Sequence, residues 1–176
     1  MRISITGHTK GIGLAISERL KYGNKIDGIS RSTGFDLKLE THRLSAAIES
    51  FDSDIFVNNI KINQIDMFNE MIKMWSEIPE KTIVNISSRA AYLPENIPQY
   101  NEYAADKAAL NDRAHICQLD PNIRCRIINI SPGYVGPNDL SHDELADYVL
   151  WAIRSPSHLE IGELLVYNRK SNDKFL

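Results

Sequence analysis

Tyr103 and Lys107 stand four positions apart in the stretch Tyr103-Ala-Ala-Asp-Lys107. In a helix that spacing is about one turn, so both side chains leave one face with their β-carbons roughly 5–6 Å apart. A phenol alone is a poor acid or base at neutral pH. A fixed ammonium beside it favours the phenolate, which lets the pair exchange a proton with a carbonyl or an alcohol. Tyr and Lys at this spacing also occur on ordinary solvated helix faces, so the pair gains meaning from what flanks it. Upstream lie a glycine-rich turn, Asn58-Asn59 and Ser87-Ser88, each after an apolar stretch; downstream, Ser131-Pro132-Gly133 follows another.

Such residues need elements to hold them. Residues 2–6 read as a β-branched strand, followed by Gly7-His8-Thr9-Lys10-Gly11-Ile12-Gly13 and by helical apolar spacing from Leu14 to Tyr22, with Gly23 as the C-cap. Strand, glycine-rich turn and helix set a phosphate against the backbone N–H groups of a helix N-terminus. In that reading Gly7 permits the tight turn, Gly11 the close approach of a pyrophosphate and Gly13 the packing of helix on strand. A second strand over 25–30 ends at Ser30-Arg31-Ser32. An acidic residue there would receive a ribose 2′-hydroxyl; Arg31, with Lys10 in the turn, favours a 2′-phosphate instead, hence NADP(H) over NAD(H). Phe35-Asp36-Leu37 reads as a third short strand, with Asp36 accepting from the adenine amine; Ser32 to Gly34 leave too little chain for a crossover helix.

Residues 41–50 form an amphipathic helix carrying Leu44, Ala47, Ile48 and then Phe51, and 54–57 a buried strand. The helix over 65–78 has Ile65, Phe68, Ile72 and Trp75 on one face and Met67, Met71 and Met74 on another. Apolar character on two faces implies burial on both, one side on the sheet and the other on a partner subunit, as in a homodimer or homotetramer. A strand over 82–86 leads into the serines; the Tyr103 helix runs to about Leu119; a strand covers 126–130; a helix over 141–154 opens on a Ser141/Glu144 capping box; a last strand covers 163–167. Near-continuously apolar strands alternating with helices indicate a parallel sheet covered on both faces.

The 176 residues suit one domain, and 43% hydrophobic with 24% charged residues is the balance of a globular protein. A net charge of −3 gives no attraction to nucleic acid or an anionic membrane. Cys117 and Cys125 lack metal-ligand spacing and read as small apolar fillers of a reducing compartment. The chain enters a strand at once and has no apolar run long enough to span a bilayer, so the expectation is a cytoplasmic protein.

In order, the motifs are Thr6-Gly7-x-x-x-Gly11-Ile12-Gly13, Asn58-Asn59, Asn85-Ile86-Ser87-Ser88, Tyr103-x-x-x-Lys107 and Pro132-Gly133. With these five in this order the whole chain resembles a short-chain dehydrogenase/reductase. The resemblance implies a Rossmann-like, doubly wound parallel sheet of about seven strands in one domain (1–170, with 171–176 a loose tail). It also implies hydride transfer between a nicotinamide and a small-molecule carbonyl or alcohol. Carried over by position, Tyr103 is the proton donor or acceptor, and Lys107 supports it and hydrogen-bonds the nicotinamide ribose. Ser88, or alternatively Ser87, orients the substrate oxygen. Asn63, or less well Asn69, is the fourth polar member and holds a water leading to Lys107. The cofactor would meet Gly7, Thr9, Lys10, Gly11, Ile12, Gly13, Arg31, Ser32, Asp36, Leu37, Asn59, Tyr103, Lys107, Pro132, Gly133 and the backbone of Val135.

The chain also departs from the family's pattern. Ile60-Lys61 stands where Ala-Gly is usual, Pro137 replaces a threonine, and Asp106 sits beside Lys107 where a small residue is common. A helix between the second and third strands, another between Asn59 and Asn63, and most of the substrate lid after Pro132-Gly133 are missing. A lid excludes water and completes a site. The alternative reading is therefore an NADP(H)-binding sensor or complex subunit with little catalysis.

Overall fold

The computed structural model describes residues 1–92 and 101–169; the expected tail at 171–176 lies outside them. The chain runs β1 (Arg2–Thr6), α1 (Gly11–Leu20), β2 (Lys25–Ile29), a 3-10 turn (Arg31–Thr33), α2 (Glu40–Ser50), β3 (Ile55–Asn58) and α3 (Gln64–Trp75). It continues through β4 (Thr82–Ile86), a second 3-10 turn (Arg89–Tyr92), α4 (Asn101–Leu119), β5 (Arg126–Pro132), α5 (His142–Arg154) and β6 (Glu163–Val166). The strands form one sheet in the order β2-β1-β3-β4-β5-β6, every pair parallel. This is the expected Rossmann-like α/β architecture, with six strands among the described residues in place of about seven.

Alternation along each strand divides the core. Ile3, Ile5, Val57, Val84, Ile86, Ile128 and Ile130 face α1 and α5, while Phe56, Ile83 and Ile127 face α2, α3 and α4. At the carboxyl end of that second face the apolar row gives way to amides. Asn58 Nδ2 donates to Asn85 Oδ1 at 3.0 Å and Asn85 Nδ2 to Asn129 Oδ1 at 3.0 Å, across three neighbouring strands. Polar groups this deep are usually paired, and the row pairs most of its own, the Asn58 Oδ1 at its open end finding no partner among the described residues.

The strand expected at Phe35–Leu37 is a turn. Its backbone is taken by side chains instead of a ladder: Asp36 N–H donates to His42 Nδ1 at 2.9 Å, and Asp36 Oδ1 accepts from Lys38 N–H at 3.2 Å. Arg43 Nη1 donates to the Leu37 and Lys38 carbonyls at 3.1 and 3.0 Å. The chain thus passes from β2 to α2 without pairing beyond β2. On α2 the large apolar residues face outward, Leu44, Ile48 and Phe51 being exposed, while Ala46, Ala47 and Ser50 are buried. Small residues let α2 and α3 approach closely, and that contact, not side-chain size, sets which face turns inward.

On α3 the second apolar face needs no partner subunit. Met67, Phe68, Met71, Ile72 and Trp75 are all buried within the chain, between the sheet and the flanking α2 and α4. Trp75 stands edge-on to Phe56, with ring centres 6.4 Å apart, and its Nε1–H donates to the Phe51 carbonyl at 3.3 Å. α5 begins as expected, Ser141 Oγ accepting from Glu144 N–H while the Glu144 carboxylate accepts from Ser141 N–H. Cys117 and Cys125 are free and buried, and burial pushes the Cys125 thiol up to about 12. No helix among the described residues is long and apolar enough to cross a membrane. Trp75→Ala should cost about 3–5 kcal/mol in urea unfolding, whereas Ile48→Ala, on the exposed face of α2, should stay within about 0.5 kcal/mol.

Candidate active site

The glycine-rich turn is built by the sequence that fills it. Gly7 has φ 66°, a left-handed conformation, and a side chain there would also meet the Asn59 carbonyl at 2.8 Å. At Gly13 a Cβ would come within 2.2 Å of the Gly7 carbonyl and 2.5 Å of Asn59 Nδ2. Asn59 is therefore the floor of the turn: its N–H donates to Thr6 Oγ1 at 2.7 Å and its amide to the Thr6 carbonyl at 3.5 Å. α1 starts at Gly11, earlier than the apolar spacing implies, and no side chain caps it, Lys10 being extended at the N-cap. Uncapped first-turn N–H groups and a left-handed turn fit a phosphate. His142, the first residue of α5, comes to the same place; its Nε2 lies 3.7 Å from where a Gly11 Cβ would be. His8, in the turn itself, lays its ring against Gly28 of β2.

At the end of the neighbouring strand, Arg31 opens the 3-10 turn after β2, exposed like Thr9, Lys10 and Ser32. Neither Arg31 nor Lys10 has an ion-pair partner among the described residues. Ser32 Oγ bonds Ser30 Oγ at 2.8 Å, and Leu37 is buried just behind Asp36.

The carboxyl ends of β3 and β4 surround Lys107. This lysine is 4% exposed, and its Nζ donates to Gln64 Oε1 and, at 3.3 Å, to the Ile86 carbonyl. Gln64 is held in turn: its Nε2 donates to the Asn58 carbonyl at 2.7 Å and the Ile86 carbonyl at 2.9 Å, which leaves its oxygen for the ammonium. Burial pulls the Lys107 pKa from 10.5 to about 8; the Asp106 charge opposes the fall and the Lys61 charge adds to it. Lys107 therefore carries its proton at neutral pH and loses it not far above. Tyr103 lies one turn back on α4, half-buried, with the Lys107 ammonium 5.6 Å from its ring centre. A second ammonium, that of Lys61, lies 5.6 Å from the same ring.

Asn63 is not at Lys107. It caps α3 in a left-handed conformation (φ 56°), and its amide donates to the Lys38 carbonyl at 3.3 Å and the Leu37 carbonyl at 3.5 Å. Gln64, one residue on, occupies the place beside the lysine. The other candidate, Asn69, accepts from Arg113 Nε at 2.9 Å, in a charged cleft lined also by Arg43 and Glu70. Sequence reading passed over both Gln64 and Lys61. The one available signal was that Gln64 opens an apolar helix where a hydrophobic residue would otherwise stand.

Ser88 is half-buried and its Oγ accepts from Ala90 N–H at 3.1 Å, while Ser87 is buried with no hydrogen-bond partner for its hydroxyl among the described residues. The turn after Ser88 is tied to the far edge of the sheet. Tyr92 OH and Ser131 Oγ both donate to the Glu163 carboxylate, joined by Asn111 Nδ2 at 3.1 Å. Burial and the Glu163 charge push Tyr92 up to about 12. The Arg89 guanidinium lies 4.1 Å over the Tyr167 ring. Pro132 ends β5, Gly133 N–H donates to the Val166 carbonyl at 2.8 Å, and the chain from Tyr134 to Leu140 closes on itself. Val135 bridges Leu140, and Gly136 N–H donates to the Leu140 carbonyl at 2.9 Å.

No protein-family model matches the chain, and no curated protein matches it by sequence. Solved structures do. The 3-alpha-hydroxysteroid dehydrogenase of Pseudomonas sp. B-0831, complexed with NADH, aligns at TM-score 0.78 and 18% identity over 94% of this chain and 95% of that one. A short-chain dehydrogenase/reductase of Serratia marcescens aligns at 0.72 and 19%, over 94% of each. An alcohol dehydrogenase of the archaeon Thermococcus sibiricus, complexed with 5-hydroxy-NADP, aligns at 0.75 and 14%, over 96% and 97%. The likeness runs through nearly the full length on both sides, and the chain has the short-chain dehydrogenase/reductase fold.

Proposed function

We propose that the chain is an NADP(H)-dependent oxidoreductase interconverting a small carbonyl compound and its alcohol, with Ser88, Tyr103 and Lys107 at the reacting centre. The observation that carries this reading is the buried Lys107 ammonium, held by Gln64 and the Ile86 carbonyl one helical turn from Tyr103, at the carboxyl edge of the parallel sheet. Ligands of open α/β sheets sit at that edge. Two similar structures are complexed with NADH and with 5-hydroxy-NADP, which supports a nicotinamide dinucleotide here.

In this scheme the turn from Gly7 to Gly13 binds the pyrophosphate through the first N–H groups of α1, and Asn59 supports the turn from beneath. Arg31 and Lys10 take the 2′-phosphate, while Ser32, Asp36 and Leu37 line the adenine side. Pro132, Gly133 and Val135 border the nicotinamide end. When bound, a nicotinamide would supply the hydride chemistry. In reduction Tyr103 gives its proton to the carbonyl oxygen; in oxidation it takes it back. Ser88 donates a hydrogen bond to the same oxygen, so that the two hydroxyls hold the charge that develops there. Lys107 keeps a positive charge beside the phenol, and its remaining N–H donor serves the nicotinamide ribose. Gln64 takes the part expected of Asn63, contacting the lysine directly instead of through a water.

The segment from Tyr134 to Leu140, short and bonded within itself, favours a second reading, a cofactor-binding protein with little turnover. The two readings part on one variant. Under the first, Tyr103→Phe should lower kcat for carbonyl reduction by about 10²–10⁴-fold while leaving NADPH affinity unchanged; under the second, wild type and variant are equally inert with NADPH bound.

The reduction rate should fall as pH rises through about 8, where Lys107 loses its proton. Gln64→Glu sets a carboxylate against that ammonium, favours its charged form, and should move the alkaline limb of the kcat/KM profile upward by about one unit or more. Arg31→Ala should weaken NADPH binding about tenfold and leave NADH binding nearly unchanged, measured by fluorescence titration of each cofactor.

A further inference from the structure

Tyr103 is flanked by two ammonium groups, and they are held quite differently. Lys107 is buried and tied to the Gln64 amide and the Ile86 carbonyl. Lys61 is exposed, on the short loop between β3 and α3, at the same 5.6 Å from the ring centre. Two other lysines lie over aromatic rings. Lys21, over Tyr22, pairs with Glu18; Lys81, over Trp75, donates to the Ser53 carbonyl at 2.6 Å. Lys61 alone of the four has neither a hydrogen-bond acceptor nor a carboxylate within ion-pair distance among the described residues. Its charge is nevertheless felt at Lys107, where it opposes protonation, and the one carboxylate acting on Lys107 in the other sense is the exposed Asp106. The Tyr103 end of the cleft therefore carries two positive charges, and the one not tied to protein oxygens is on the exposed member of the pair.

We propose that Lys61 binds the carboxylate of the substrate, so that the compounds reduced or oxidised at Tyr103 are oxo acids and the corresponding hydroxy acids. This rests on the reading of Tyr103 as the proton donor. In a 2-oxo or 3-oxo acid the carboxylate lies one or two carbons from the carbonyl, a span that the four-carbon stem of a lysine can follow while the carbonyl oxygen stays on the phenol. The carboxylate would sit against an ammonium that has no ion-pair partner among the described residues, and its negative charge would relieve the repulsion between Lys61 and Lys107. A lysine recognises it as a point charge, with no demand for bidentate geometry.

The test is binding to the NADP⁺-loaded full chain, in which the oxidised cofactor leaves a ketone unreduced. Calorimetric titrations compare 2-oxobutanoate with 2-oxobutanamide, and acetoacetate with acetoacetamide, in wild type, Lys61→Met and Lys61→Arg. The expected result is that at least one acid binds about five- to tenfold more tightly than its amide, as for a charge-assisted contact to a partly solvated lysine. Lys61→Met abolishes that preference, Lys61→Arg keeps most of it, and amide binding, NADP⁺ affinity and the thermal midpoint stay as they were. Equal binding of acid and amide in wild type in both pairs overturns the proposal. So does a Lys61→Met variant that weakens acid and amide alike, or one that weakens NADP⁺ binding instead, which would assign Lys61 to the cofactor phosphates. If NADP⁺ itself fails to bind, the nicotinamide reading falls, and the same acid-against-amide comparison on the protein alone still decides the role of Lys61.

Discussion

The burial of one ammonium constrains most of this molecule. A lysine that is 4% exposed must find oxygen atoms or give up its charge. Lys107 finds two, from different parts of the chain: the Gln64 side chain at the start of α3 and the Ile86 carbonyl at the end of β4. Both are available only if α3 begins where it does, if β4 stops pairing at Ile86, and if α4 lies across their ends. Gln64 can offer its oxygen because its two N–H groups are spent on the Asn58 and Ile86 carbonyls. One side-chain amide thus joins β3, α3, β4 and α4. The compensation is partial, which is why the lysine ends with a pKa of about 8 instead of 10.5.

A second network organises the other side of the site. The Glu163 carboxylate collects Tyr92, Ser131 and Asn111, and Arg89 lies on Tyr167. These contacts pin the 3-10 turn that follows Ser88 to the edge strand β6. The turn is therefore held from outside the sheet, while the lysine is held from within it. The segment after β5, from Tyr134 to Leu140, is bonded within itself, so these two networks do most of the holding at the site.

Features decided by local chemistry were legible in the sequence. The glycine-rich turn needs glycine because of its own φ angle and the closeness of Asn59, and the Ser141/Glu144 cap is complete within four residues. Strand and helix order followed from apolar periodicity for the same reason. Features decided by neighbours were not legible. Phe35–Leu37 has the composition of a strand, but His42 and Arg43 take its backbone groups, and β2 is left as the edge of the sheet. The apolar stripe of α2 faces outward because contact with α3 selects the alanines. The two apolar faces of α3 were read as one too many for a single chain, yet α2, α4 and the sheet cover both. Asn63 and Gln64 differ by one position. Only the left-handed cap at Asn63, which sets the phase of α3, decides that the glutamine and not the asparagine turns toward the lysine.

The row of three asparagines across β3, β4 and β5 also acts as a vernier for the sheet. Asn58 gives its hydrogen to the oxygen of Asn85 and Asn85 to that of Asn129, so the amides run in one direction, and reversing Asn85 would set nitrogen against nitrogen along the line. Sliding one strand by a single residue would swing its amide to the opposite side; sliding by two would bring an amide opposite an isoleucine or Phe56. Strands of near-uniform isoleucine and valine have little else to tell one offset from another. The asparagines supply the missing scale mark, one rung below the serines, and so fix how far each strand reaches toward the cleft.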